Sequence, residues 1–399
     1  MKTLKIGVIL LALLLAAMAM VPMASAAENN EVQTAIDLNT IQIPELQFNE
    51  SQDKVIIKNE LSLDPDYRPL QKYTSKKTLE LSDSKIPYGS IIYHSDDGVT
   101  TVFDSKGKQL FAAEDAKTTM VTGSPKEIPV TFVHEVPSGS MILVDPKNRD
   151  ITYTFDHNNQ LILTVIDNSK SDEFEPDVQN TVSCTSTGLC KGWLEYAEDN
   201  YIPELNRFQA TWITPSRPLS SDMGEKIAIF NGIQPSGNSL IIQPVLEWNV
   251  NSNNYAWTAA PWYYRSNSDK YYGRRITGIQ PGDTICGEMV YSVLNGYPGW
   301  WVSITRNNDP VSSIFIDELS TTSGLNAEVV LEATGIGINN DNDLPGDVSF
   351  SNMIYRKADG SAASVSLSGY VDPTAASHFS GLSAIIEQNP GHVRLWTPN

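Results

Sequence analysis

The chain has 399 residues, 41% of them hydrophobic, with 28 Lys and Arg against 47 Asp and Glu and a formal net charge of −19. That acidic balance argues against nucleic acid or an anionic membrane surface as partner. The hydrophobic fraction is that of a globular protein, and 25 Gly and 23 Pro beside many β-branched and aromatic residues favour short strands joined by turns.

Lys2 and Lys5 precede an apolar run from Ile6 to Met20, and Ala24-Ser25-Ala26 follows. This reads as a signal peptide over 1–26; an uncleaved N-terminal anchor is the rival reading. The expected product is secreted or cell-surface associated, monomeric, and without membrane contact beyond the signal segment. Residues 27–88 are polar and interrupted by proline, and read as an extended arm. Asn49-Glu-Ser51 in this arm is an N-glycosylation sequon.

From residue 89 the pattern becomes alternating strands with hairpin signals at Asp97-Gly98 and Lys106-Gly107. Strands are expected at Ile91–His94, Thr100–Phe103, from Gln109, and over Ile128–His134, Met141–Val144, Ile151–Phe155 and Gln160–Ile166. Together these suggest a small β-rich domain over 89–167, a candidate pro-region. Residues 168–190 are an acidic linker. Cys184 and Cys190 lie in it with five residues between them, and in an oxidising compartment a small disulfide loop is plausible. Cys286 reads as a buried free thiol. A short helix is expected at Trp193–Asn200.

Residues 191–399 again read as strands, among them Phe208–Ile213, Lys226–Phe230, Ser239–Leu246, Tyr255–Tyr264 and Ala327–Ala333. Long strands with one short helix imply an all-β fold, a double-sheet β-sandwich preceded by the smaller β-rich domain. Within two of these runs polar side chains stand where burial is expected: Gln243 and Glu247 in Leu240–Trp248, and Glu328 and Glu332 in Asn326–Glu332. A buried amide or carboxyl without a partner costs a few kcal/mol or about that, so such residues need a partner or a task. No cofactor or metal is expected, since no Cys/His spacing resembles a zinc site. Asp341-Asn-Asp343 lacks the closing ligand of a calcium loop and reads as a surface turn. G-x-S-x-G is absent.

Six segments in order carry a resemblance to the G1 glutamic peptidases, or eqolisins, over roughly residues 205–355. Phe208-Gln-Ala-Thr-Trp212-Ile-Thr-Pro215 resembles that family's opening strand F-x-x-x-W-x-V-P. Phe230-Asn-Gly232-Ile233-Gln234 is similar to W-V-G-I-D. Ile241-Ile-Gln243-Pro-Val-Leu-Glu247-Trp248 resembles I-L-Q-T-G-x-D-W. Tyr255-Ala-Trp257 with Trp262-Tyr-Tyr264 is similar to the aromatic strand, Gln280-Pro-Gly-Asp283 to a P-G-D turn, and Asn326-Ala-Glu328-Val-Val-Leu-Glu332 to N-A-E-W-I-V-E. The chain departs from the pattern in Gln234 for Asp, Phe230 for Trp, Val245 for Gly, and in lacking the Glu of the aromatic strand. Plant-type neprosins, which use two Glu, fit less well because position 243 is Gln.

The resemblance implies a concanavalin-like double sheet and a secreted endopeptidase active at acidic pH on protein or peptide substrates. It implies Gln243 and Glu332 as the catalytic pair, Glu332 as general base and Gln243 as oxyanion donor. Around them Phe230, Glu247, Trp248, Trp257, Trp262, Tyr264 and Glu328 are expected on the substrate side. The aromatics fit equally well in a core or on a carbohydrate-stacking platform. The alternative function is a non-catalytic secreted sandwich that binds carbohydrate or peptide at the cell surface.

Overall fold

Alternation of apolar and polar residues gives almost every described segment the extended backbone, and the strands assemble into two large sheets. The structure is a computed structural model, and it describes residues 35–49, 53–67, 79–81, 84–116, 118–119, 128–169, 182–220, 225–236, 240–249, 255–265, 269–309 and 311–399. The expected signal peptide and most of the acidic linker lie outside these residues. Among the described residues, no helix is long and apolar enough to cross a membrane.

One sheet has 15 strands and the other 12, and residues Asp37–Asn399 form one unit. The inter-sheet core is filled by side chains such as Phe208, Trp212, Ile229, Leu246, Trp257, Trp300 and Leu331. In the 12-stranded sheet the neighbours run Cys190–Ile202, Leu325–Ile338, Glu225–Pro235, Leu240–Trp248, Trp257–Arg265 and Lys270–Gly273. Beyond Lys270–Gly273 the sheet continues into Val133–Val136, then Leu61–Asp64 and Lys85–Pro87. The 15-stranded sheet likewise passes from Val311–Ile316 into Ser140–Val144 by a parallel pairing. Strands before and after the 168–190 segment therefore share both sheets, and the stretch read as an arm contributes strands of its own.

Two local expectations change. Residues 190–202 are a strand rather than a helix, because bulges near Trp193–Glu195 and Asp199–Ile202 break the two-residue alternation. The run Ile128–His134 is broken by a 3₁₀ turn at Val130–Phe132, with Pro129 before it. The hairpin signals hold: Gly98 and Gly107 have φ of 75° and 79°. At Gly107 a Cβ would stand 2.3 Å from the Glu45 carbonyl oxygen, so no other residue fits there. Asp341–Asp343 is a capped 3₁₀ turn whose Asp343 accepts from the Asn339 and Asn340 backbone N–H groups.

A buried polar cluster links strands on either side of the linker. His94 Nε2 lies 2.9 Å from Asp269 Oδ1, His134 Nε2 meets the same oxygen, and all three side chains are buried. Asp115 accepts from the hydroxyls of Thr100 (2.7 Å) and Thr131 (2.6 Å), so Thr100 Oγ1 accepts the Nδ1–H of His94 at 2.7 Å. With Nδ1 already carrying a hydrogen, contact of Nε2 with a carboxylate requires a second proton. His94 is accordingly an imidazolium paired with Asp269.

Candidate active site

The site lies on the face of the 12-stranded sheet that points away from the inter-sheet core. Alternation puts Ile241, Gln243, Val245 and Glu247 on that face, with Ala228, Phe230, Gly232 and Gln234 on the next strand and Glu328, Val330 and Glu332 on the one after. A second apolar cluster covers it, with Trp193, Phe230, Ile241, Val245, Trp262, Tyr264 and Tyr272 among its members. Val133 belongs to the same cluster and Ile128 packs against it, so residues from before the linker reach this face.

Register arranges the polar groups in transverse rows. Gly232 pairs with Glu328, and the pairs Phe230–Val245 and Ile233–Ile242 on either side put Gln243 beside Gly232. Gln243 in turn pairs with Trp262, and Glu328 with Glu198. One row across the sheet therefore reads Glu198, Glu328, Gly232, Gln243, Trp262. A second row reads Trp193, Glu332, Ala228, Glu247, Thr258.

This geometry sets the two expected residues apart. Glu332 lies four residues along its strand from Glu328, about 13 Å, and two strands from Gln243, which separates the two Cα atoms by about 16 Å. Glu328 is two strand spacings from Gln243, about 9.5 Å, with a glycine between. The Glu328 carboxyl leans over that glycine: a Cβ at 232 would stand 2.7 Å from Glu328 Oε1 and 3.1 Å from Ile241 Cδ1. The structure thus brings Gln243 together with Glu328, not with Glu332.

Both side chains lack hydrogen-bond partners among the described residues. Gln243 and Glu328 have no exposed surface, and among the described residues neither the amide atoms of Gln243 nor the carboxyl oxygens of Glu328 make a hydrogen bond. Burial, and then the neighbouring Glu198, push the Glu328 carboxyl well above the usual carboxylate range. Glu328 is therefore neutral in the closed face. Gln234 and Asn326, the next pair along, are also buried, with both side-chain polar atoms of Gln234 and the Asn326 Oδ1 unpartnered.

The remaining expected residues divide by face. Phe230, Trp262, Tyr264 and Glu247 lie with Gln243. Arg275 donates to Glu247 Oε2 at 3.3 Å and stacks on Tyr272 at 3.8 Å; burial nevertheless raises the Glu247 carboxyl above its ordinary value. Trp248 and Trp257 stand in the inter-sheet core, their rings 5.3 Å apart, and do not face the row. Trp248 is five residues from Gln243, and an odd offset in a strand points to the opposite side. Cys184 and Cys190 are joined by a disulfide, and Cys286 is a half-buried free thiol.

Gly232 offers a direct check of this placement. Gly232→Ala would drive a methyl group into the Glu328 carboxyl. A stability loss of about 1–3 kcal/mol from overpacking is expected. Urea unfolding reads the effect; a variant of unchanged midpoint contradicts the close approach.

No protein-family model and no curated protein matches the chain. Among solved structures, it is similar to scytalido-glutamic peptidase bound to a peptide-based transition-state analogue, with a TM-score of 0.35 and 16% identity over 52% of this chain and 99% of that one. It is similar to SCP-B, an eqolisin-family peptidase in complex with the tripeptide Ala-Ile-His, with a TM-score of 0.32 and 15% identity over 52% and 99%. Congerin II liganded by lactose and MES overlaps with a TM-score of 0.23 and 10% identity over 35% of this chain and 96% of that one. Overlaps this loose do not carry a site from one molecule to another, so the chemistry rests on the residues of this chain.

Proposed function

We propose that the chain is an endopeptidase working at acidic pH, with Gln243 and Glu328 as its catalytic pair. The observation that carries this is the lean of Glu328 across Gly232 toward Gln243, with both polar groups buried and unpartnered. Buried polar groups without partners cost stability, and a site that will bind a reacting carbonyl is a reason to retain them. The ordered sequence segments that resemble glutamic peptidases support the same class of activity and the same Gln243, although they imply Glu332 rather than Glu328 as its partner.

In this mechanism ionised Glu328 takes a proton from a water molecule as its oxygen attacks the scissile carbonyl carbon. The Gln243 side-chain N–H donates to the carbonyl oxygen as it becomes negative, and costs little reorganisation because the strand holds it in place. Glu328 then gives the proton to the leaving amine as the C–N bond breaks. Phe230, Trp262 and Tyr264 form the apolar wall beside the row.

Glu328 has to ionise to act, and in the closed face it is neutral. Opening the face to water lowers its pKa towards the ordinary carboxylate range and fits an acid optimum. The residues before the linker are proposed to act as the closing element, motivated by Val133 and Ile128 on the same face. Incubation of full-length secreted protein at about pH 4, followed by mass spectrometry, tests this. Cleavage near 168–190 that precedes activity is expected; activity from the intact chain contradicts it.

The catalytic reading is tested by digesting a denatured protein across about pH 2–6 with wild type, Gln243→Ala and Glu328→Gln, with pepstatin present as a control. Wild-type cleavage lost in both variants is the expected result. Equal activity in all three sinks the reading, and equal inactivity favours the sandwich as a binding protein for carbohydrate or peptide.

A further inference from the structure

Two further amides lie on the floor beside Gly232, and the proposed chemistry makes no use of them. Strand Glu225–Pro235 turns Phe230, Gly232 and Gln234 to one face, and its register against Leu325–Ile338 is unbroken, so Gln234 stands directly opposite Asn326. Continuing the pairing Ile233–Ile242 by one residue sets Gln234 beside Ile241, which pairs with Tyr264. A third row therefore reads Asn326, Gln234, Ile241, Tyr264. It lies two residues, about 7 Å, along the strands from the row of Glu328, Gly232 and Gln243. Gln234 has no exposed surface and Asn326 only 8%. Among the described residues, neither Oε1 nor Nε2 of Gln234 makes a hydrogen bond, and nor does Oδ1 of Asn326 across from it.

A buried amide without partners destabilises a fold, and a leucine of nearly the same volume would carry no such cost. An unmet amide beside the reacting row points to a ligand that supplies the missing bonds. The side chain of Gln234 offers a donor and an acceptor together. One residue of an extended peptide presents the complementary set, because its N–H and C=O point to the same side. Alternate residues of such a peptide are also about 7 Å apart, which matches the spacing of the rows. From the register, the burial and the unmet atoms we infer that Gln234 binds the main chain of an extended substrate two residues from the scissile bond. The inference rests on the proposed cleavage over Gly232. The substrate runs along the strands, its scissile carbonyl over Gly232. Gln234 Oε1 accepts from a substrate N–H, Nε2 donates to the C=O of the same residue, and Asn326 Oδ1 is a second acceptor alongside. Recognition at this point reads the backbone, so it selects extended peptides without specifying a side chain there.

The test pairs a change in the enzyme with one in the substrate. In a short peptide cut at one bond, each other peptide bond is replaced in turn by an ester, which removes the N–H and keeps the length. Mass spectrometry follows cleavage at the original bond by wild type and by Gln234→Leu. For the wild type, one ester two residues from the cut should lower kcat/KM about 5–10-fold, the worth of one neutral hydrogen bond. Gln234→Leu should cleave the parent peptide about tenfold less well, chiefly through KM, and should not distinguish that ester from the parent. The ratio between the enzymes should hold constant over about pH 3–6, since an amide does not titrate. Its urea midpoint should equal or exceed that of the wild type. The same ester profile in both enzymes overturns the inference, with Gln243→Ala and Glu328→Gln inactive as expected. A lowered midpoint in Gln234→Leu also overturns it, by showing that the fold already satisfies the amide. A wild type as inactive as Glu328→Gln removes the catalytic reading and this inference with it.

Discussion

Glu328→Gln is expected to separate activity from stability: cleavage falls by about 10³-fold while the folded state becomes more resistant to heat at neutral pH. The first effect follows from loss of the base, since an amide accepts no proton from water. The second follows from linkage. Burial and Glu198 raise the folded-state pKa of Glu328 above its unfolded value of about 4.3. The stability it contributes is therefore fully present below that pH and is lost as pH rises through the folded-state pKa. Gln carries no such penalty. The midpoint difference between variant and wild type should be small at about pH 4 and should grow in favour of the variant toward pH 7. Melting curves at both values check it. A variant less stable at pH 7, or one that still cleaves, contradicts a buried neutral acid at the reacting position.

The other large effect is expected far from the row, at Asp269. Asp269→Asn keeps the shape and removes the charge that His94 and His134 share. Breaking one partner of a buried ion pair costs about 3–5 kcal/mol, which in a unit of this size is a midpoint drop of about 5 °C. Burial opposes ionisation of Asp269, and the two histidines overcome it, holding the carboxyl well below its ordinary range. Its contribution is thus present above about pH 3.9 and is lost only as pH falls through the depressed value. Burial likewise opposes charge on His94, while Asp269, Asp167 and Asp115 raise its pKa. That contribution is complete below about pH 6.5 and is lost as pH rises through the folded-state value. His134, lowered first by burial, works in the opposite sense below pH 6.5 and trims the gain at the acid end. The deficit of Asp269→Asn should therefore be widest between about pH 4 and 6.5. Melting curves of the two proteins that run parallel from pH 3 to 9 would show that the cluster is not an ion pair. The window overlaps the acid conditions proposed above for activity, and there the cluster joins the strands on either side of the linker.

Most of the strands could be read from the sequence because the alternation is strong: Arg207–Ile213, Leu240–Trp248 and Trp257–Arg265 fall within a residue or two of expectation. Gln243 was legible for the same reason, as an amide in an otherwise apolar strand. The choice between Glu328 and Glu332 was not. Both lie on one strand and one face, and only the register against Glu225–Pro235, a long-range property, decides which lies across Gly232 from Gln243. The parity that sends Trp248 to the core was present in the sequence; the bulk of the side chain masked it. Glu198 was hidden by the bulges in Cys190–Ile202, which give that stretch a near-helical spacing of apolar residues. The continuation of both sheets into the residues before the linker also escaped the sequence, because the junctions are parallel pairings between distant segments, Val133–Val136 with Lys270–Gly273 and Ser140–Val144 with Val311–Ile316. No local turn signal marks a pairing of that kind.

The assignment of the base is tested most directly by comparing Glu328→Gln with Glu332→Gln in one peptide-cleavage assay at the wild-type optimum. Both acids are buried on the same face of the same strand, so the two variants differ chiefly in which row they disturb. Glu328→Gln without measurable cleavage, beside Glu332→Gln within about tenfold of wild type, is the expected result. The reverse order, with Glu332→Gln inactive and Glu328→Gln active, contradicts Glu328 as the partner of Gln243.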